Sequence, residues 1–217
     1  MIKNKPIYHI THINNLENIL KDNTLWCDAE RIKRKYKTEN IAYEHLKQRR
    51  FTTSVRTAAK GVLADYVPFY FCNRSPMLCA IYKGGVTNDL TTQSNIIYFV
   101  SSIEKIVNQS KYSWCFTDGH GVDSLTEFYN DFKELNKIDW TLITDWQWHN
   151  TLEDNDRMRR KQAEFLIHHS FSLEEVEKIG VHSQEQKKYI ESILAQYSCK
   201  IPVTVEKRWY YSRRGLS

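Results

Sequence analysis

The chain has 217 residues, 41% hydrophobic and 26% charged, with a formal net charge of +5. That length suits one continuous domain, 1–217, able to bury its own core, and no repeat, low-complexity tract or Pro/Gly-rich linker divides it. Five scattered cysteines without a C-x-x-C pair exclude a complete internal disulfide set and fit a reducing, cytoplasmic setting; no apolar run nears the ~20 residues of a membrane-spanning helix.

Met1-Ile2-Lys3-Asn4-Lys5 leads straight into a strand instead of an apolar export signal. That first strand, 6–11, carries His9 within Pro6-Ile7-Tyr8-His9-Ile10-Thr11-His12. Ile13, Leu16, Ile19 and Leu20 then make a helical stripe over 13–21, and a short strand follows at 25–28. Residues 31–60 hold ten Lys/Arg against Glu39 and Glu44, a local charge of +8 that leaves −3 for the rest. A basic excess of that size suits a phosphate-bearing partner, or else a solvated loop.

Strands are predicted at 67–72, 96–101 and 113–116, rich in β-branched and aromatic residues, then a helix at 124–137 on Leu125, Phe128, Phe132 and Leu135. A strand at 164–168 opens on Glu164. Ser172 and Ser183 each precede a Glu or Gln three residues on, which predicts helix starts there, running to about 178 and 197. Strands at 179–182 and 201–206 complete a mixed order without strict βαβ alternation, so the fold class is α+β.

The local chemistry leaves several readings open. His9 and His12 are three apart on a strand and His168 and His169 are adjacent, so neither pair converges on one ion and no metal is expected. There is no G-x-G-x-x-G and no Walker A, and Gly84-Gly85 and Gly119-His120-Gly121 are too short for a phosphate cradle. Cys72 and Cys79 sit in apolar runs as small hydrophobes. His9 alone reads as a core histidine. Glu164, at the mouth of an apolar strand, must face solvent, pair with a cation such as Arg159 or Arg160, or serve a site. The tryptophans, Trp140 above all, suit core packing, while Trp146 and Trp148 suit base stacking equally well.

Six ordered segments, from Pro6–His12 through Ile41–His45 with Arg49-Arg50, Gly61–Phe71, Arg74–Leu78 and Phe116–Gly121 to Lys161–Leu166, resemble the DarT family of DNA ADP-ribosyltransferase toxins. The resemblance implies an ADP-ribosyltransferase fold, a split, mostly antiparallel sheet with flanking helices and an NAD cleft between its halves. It implies transfer of ADP-ribose from NAD, as substrate, to a base of single-stranded DNA, with thymine favoured over guanine, by the toxin of a pair whose antitoxin carries a macrodomain; the chain itself is expected to be a monomer. His9, Ile10, Thr11, Asn18 and Trp26 would hold the dinucleotide under a covering element at 37–55, and Arg50 and Glu164 would be the catalytic pair. Tyr43, Arg74, His120, Trp148 and Arg160 would meet DNA. The competing readings are a non-catalytic single-stranded nucleic-acid-binding module, or the same enzyme with protein, RNA or water as acceptor.

Overall fold

The computed structural model describes residues 4–85 and 92–212; Met1–Lys3, where the N-terminal reading falls, and the C-terminal end of the 1–217 span lie outside them. Ten strands are formed among the described residues: β1 (Pro6–His12), β2 (Thr24–Trp26), β3 (Tyr66–Tyr70), β4 (Ile96–Ser102), β5 (Trp114–Thr117), β6 (Phe128–Tyr129), β7 (Glu164–His168), β8 (Ser170–Ser172), β9 (Lys178–Val181) and β10 (Val203–Val205). Eight of them make one sheet in the order β10-β9-β4-β1-β3-β7-β5-β6, antiparallel except for β10 beside β9, while β2 and β8 pair separately. Helices α1 (Leu16–Asp22), α2 (Asp28–Lys33), α3 (Glu44–Arg50), α4 (Pro76–Tyr82), α5 (Ile103–Val107), α6 (Trp140–Thr144), α7 (Arg157–Lys161) and α8 (Gln184–Gln196) flank it. None is long and apolar enough to cross a membrane.

The central strands are apolar on both sides because both sides are covered. In β4, Ile97 and Phe99 join a large core with Ile7, Phe69, Phe165 and Ile179, whereas Ile96, Tyr98 and Val100 join a second cluster with Leu78 and Tyr210. Alternation along each strand feeds these two layers in turn. The cysteines are all free, and Cys72 and Cys79 are buried as small hydrophobes.

Two predicted helices are corrected. Over 124–137 the chain instead forms β6, which pairs with β5 at Phe116↔Tyr129 and Thr117↔Phe128, and then a 3₁₀ segment over Phe132–Lys137 capped by Asp131. The apolar stripe misled because Leu125 is 71% exposed, and Phe128 and Tyr129 gain more from extending a sheet. After Ser172 only a 3₁₀ turn forms, Leu173–Glu175, before β9 is taken up by β4. Ser183 does cap a full helix, its Oγ accepting from Gln186 N at 3.3 Å.

Candidate active site

The sheet has a seam. β1 pairs with β4 over seven positions and β3 with β7 over five, yet β1 and β3 meet only at Tyr8↔Tyr70. Past that point Pro68 has no N–H to offer a ladder. Its carbonyl instead accepts from His9 Nδ1 at 2.9 Å. A carbonyl only accepts, so Nδ1 carries the proton and Nε2 keeps a lone pair.

A cavity of about 460 Å³ opens at this seam, and both His9 and Glu164 line it. Pairing places Tyr8, Tyr70 and Glu164 on one face of the sheet, and alternation puts His9 on the other. In a continuous sheet they would never share a site; the splayed strands let them do so.

Glu164 opens β7 and is only 3% exposed. Its partner is neither Arg159 nor Arg160: Arg50, the last residue of α3, donates from Nη1 to Oε2 at 2.8 Å. Oε1 accepts from the Gly121 amide at 3.0 Å. Burial pushes this carboxyl upward, but the Arg50 guanidinium, His120 and the Gly121 N–H outweigh it and hold the group below its ordinary value. The site therefore presents an ionised carboxylate whose two oxygens are tied to different groups.

Arg50 keeps one nitrogen in reserve. Its Nη2 is buried and has no hydrogen-bond partner among the described residues, and the side chain lines the cavity. Such a donor costs stability unless a ligand oxygen completes it. Burial would lower the guanidinium, yet the Glu164 charge raises it, so it stays cationic. Tyr70 lines the same space with its phenol pushed up by burial and by Glu164, and so remains a protonated donor. Burial lowers both cavity imidazoles, His9 to about 4 and His120 below its usual value, so both are neutral near pH 7.

The dinucleotide candidates gather beside this pair. His9, Ile10 and Thr11 line the main cavity from β1, and a smaller cavity of about 30 Å³ next to it is lined by His9, Thr11, Asn18 and Trp26. Segment 36–40 crosses between the two as a strap. Asn15 Nδ2 donates to Glu39 O at 3.0 Å and its Oδ1 accepts from Glu39 N at 2.8 Å, while Asn18 Nδ2 donates to Lys37 O at 3.1 Å. Trp26 is fixed by Nε1 donating to Asp22 Oδ2 at 2.7 Å, with the Arg34 guanidinium over its ring at 3.7 Å.

The DNA candidates divide. Tyr43, His120 and the nearly buried Trp148 line the cavity. Arg74 and Arg160 do not: Arg74 Nε donates to Arg208 O at 2.9 Å, and Arg160 is held by Asp139, Asp154 and Asp156. Trp140 packs on Phe71 and Trp146 is 60% exposed. Half of the basic window is likewise spent internally, with Arg31 on Asp28, Lys33 and Arg34 on Glu30, Arg49 on Val122 O and Arg50 on Glu164.

Asn15, Tyr70 and Gly121 belong to the site and escaped the reading of the sequence. Gly121 left a signal, since it sits in the Gly-His-Gly run set aside as a phosphate cradle. A Cβ there would lie 3.1 Å from Glu164 Oε1, so glycine is what lets the backbone reach the carboxylate. Among the described residues no three His, Cys, Asp or Glu side chains gather to hold a metal ion.

Residues 8–211 match the family described as DarT, ssDNA thymidine ADP-ribosyltransferase. A DNA ADP-ribosyl transferase of Thermus sp. (strain 2.9) is 40% identical over 208 residues, covering 95% of this chain and 96% of that protein. The solved structure of Thermus sp. 2.9 DarT in complex with ADP-ribosylated ssDNA superposes with a TM-score of 0.87 at 39% identity, over 95% of this chain and 96% of that one. Its complex with NAD+ gives 0.85 at 37% identity, over 96% and 98%.

Proposed function

The chain belongs to the DarT family, and on that footing we propose that it is an NAD-dependent mono-ADP-ribosyltransferase acting on thymine in single-stranded DNA. In this reading it is the toxin of a pair whose antitoxin carries a macrodomain, and it works in the cytoplasm. What carries the proposal is one cavity that joins a buried, ionised Glu164, an Arg50 with an idle Nη2, and a neutral His9.

NAD lies along the seam, with its nicotinamide and adjoining ribose against His9, Ile10 and Thr11 and the rest of the dinucleotide toward Asn18 and Trp26. His9 Nε2 accepts from a ribose hydroxyl because Nδ1–H is committed to Pro68 O. The bond from nicotinamide nitrogen to ribose C1′ breaks, its electrons leave with neutral nicotinamide, and positive charge builds on the sugar. Glu164 sits beside that charge and accepts from the 2′-hydroxyl; fixed groups of this kind contribute about 10²–10³ in rate. A new bond then forms from C1′ to a thymine ring nitrogen, which gives up its proton to solvent or a neighbouring side chain.

Arg50 acts as a cationic clamp and not as a proton acceptor, since a guanidinium beside a carboxylate stays protonated. Its free Nη2 donates to a diphosphate oxygen or to the oxygen of the deprotonating base. Tyr43 offers an exposed ring at the cavity wall to an unstacked base, while Trp148 lines the cavity from the core with its ring stacked on His149.

Mass spectrometry of a mixed-base oligonucleotide incubated with NAD tests this directly. One ADP-ribose on thymine is expected, absent with Glu164→Gln. The adduct on guanine would reassign the acceptor, and nicotinamide release with unmodified DNA, RNA and protein would make the chain an NAD glycohydrolase.

A further inference from the structure

Glu164 can serve a developing cation only if its carboxylate is held at a set rotation, and the part of that hold opposite Arg50 comes from an irregular loop, 118–126. Gly121 in this loop supplies the N–H to Oε1. A loop amide is a precise donor only when the loop itself is fixed.

Arg159 does the fixing. It lies on α7, five residues before Glu164, and is largely buried. Its backbone carbonyl accepts from His120 N at 3.0 Å. Its Nη1 donates to Asp118 Oδ1 at 3.1 Å and to Thr126 Oγ1 at 3.3 Å, the two ends of the loop. Its Nε and Nη2 grip Asp156 at 2.8 and 2.7 Å, which aims the fork. The side chain also runs across Gly119, where a Cβ would stand 2.3 Å from Nη1 and 2.9 Å from Cγ.

Two further ties close the frame. Thr117 Oγ1 accepts from Glu164 N at 2.9 Å and donates to Gly119 O at 2.7 Å, so the start of β7 and the start of the loop share one hydroxyl. Arg49, next to Arg50, donates to Val122 O. Each group bound to the Glu164 carboxylate is thereby tethered to the same loop.

We propose that Arg159 is a positioning residue for the transfer reaction: it touches neither NAD nor DNA, and it holds loop 118–126 so that the Gly121 amide fixes the rotation of the Glu164 carboxylate. This rests on the assignment of Glu164 as the charge-stabilising group. The substitution Arg159→Lys keeps the charge and loses the fork, and Gly119→Ala keeps every charged group but drives a methyl into Nη1.

Both variants are expected to bind NAD within about twofold of the parent while the single-turnover rate of nicotinamide release falls about 10²-fold, as a displacement near 1 Å can cause. Losing the Gly121 bond also removes one of the interactions that lowers the carboxyl, so the acid limb of the rate profile moves to higher pH. A loss confined to stability would lower Tm and leave that limb in place.

Carbon-13 NMR titration of Glu164 in the parent and both variants reads the same displacement without substrate. It therefore separates this idea from the function itself. An unchanged Glu164 titration in folded Arg159→Lys and Gly119→Ala overturns the positioning role, whatever the acceptor proves to be. Equal losses of NAD affinity and rate overturn it as well.

Discussion

Acidification should unfold this protein partly through His9. The usual imidazole value is 6.5, and burial at the seam, with Arg31 and Arg50 nearby, lowers His9 to about 4 despite its bond to Pro68 O and the opposing charge of Asp28. Above 6.5 both the folded and the unfolded chain leave His9 neutral, so it adds nothing to the pH dependence there. Between 6.5 and 4 only the unfolded chain takes up the proton, and stability falls with pH; below 4 both are protonated and the loss levels off. At about 1.4 kcal/mol per unit, the loss is about 2 kcal/mol by pH 5 and about 3 kcal/mol at its limit. His9→Asn places an amide N–H near the Nδ1 position and cannot titrate. Urea unfolding at pH 7 and pH 5 should show the parent losing about 2 kcal/mol more than His9→Asn. Losses that match within error would mean that His9 keeps its ordinary value in the folded cleft and takes up a proton there by pH 5, so that burial does not hold it neutral.

Arg50→Ala leaves Glu164 buried and unpaired, a change that costs about 3–5 kcal/mol; a Tm equal to the parent's would show that the pair is not sequestered. Glu164→Gln should keep NAD affinity by calorimetry while turnover drops about 10²–10³-fold, and a matching fall in affinity would count against a role confined to the transition state. Asn15→Ala removes both side-chain bonds to Glu39, so NAD affinity should weaken about tenfold as the strap loosens; unaltered binding would separate the strap from the cofactor path. Arg160→Ala should lower Tm but leave the salt dependence of DNA binding unchanged, since three aspartates already occupy the side chain. A reduced salt slope would return Arg160 to the DNA surface.

Most of the strands and the late helix were legible in the chain because their cues are local, whereas β6 and β8 were not read as strands. β4 and β7 announce themselves as short apolar runs, and Ser183 with Gln186 marks the start of α8 at the position where it forms. The segment 124–137 was not, because Phe128 and Tyr129 answer to β5, which lies some ten residues back along the chain.

By itself the sequence determined which side chains are present for the chemistry and, through ordered segments, which family they resemble. Apart from the resemblance, which coupled Arg50 with Glu164 as a catalytic pair, the local residues could not say that Glu164 would take Arg50 over the adjacent Arg159 and Arg160, since an ion pair 114 residues apart is set by where α3 docks. The resemblance already put His9 and Glu164 at one NAD cleft, but strand alternation alone sets them on opposite faces, and only the tertiary structure shows how they border one cavity. That follows from a single unpaired stretch between β1 and β3, where proline has no hydrogen to give and the sheet opens.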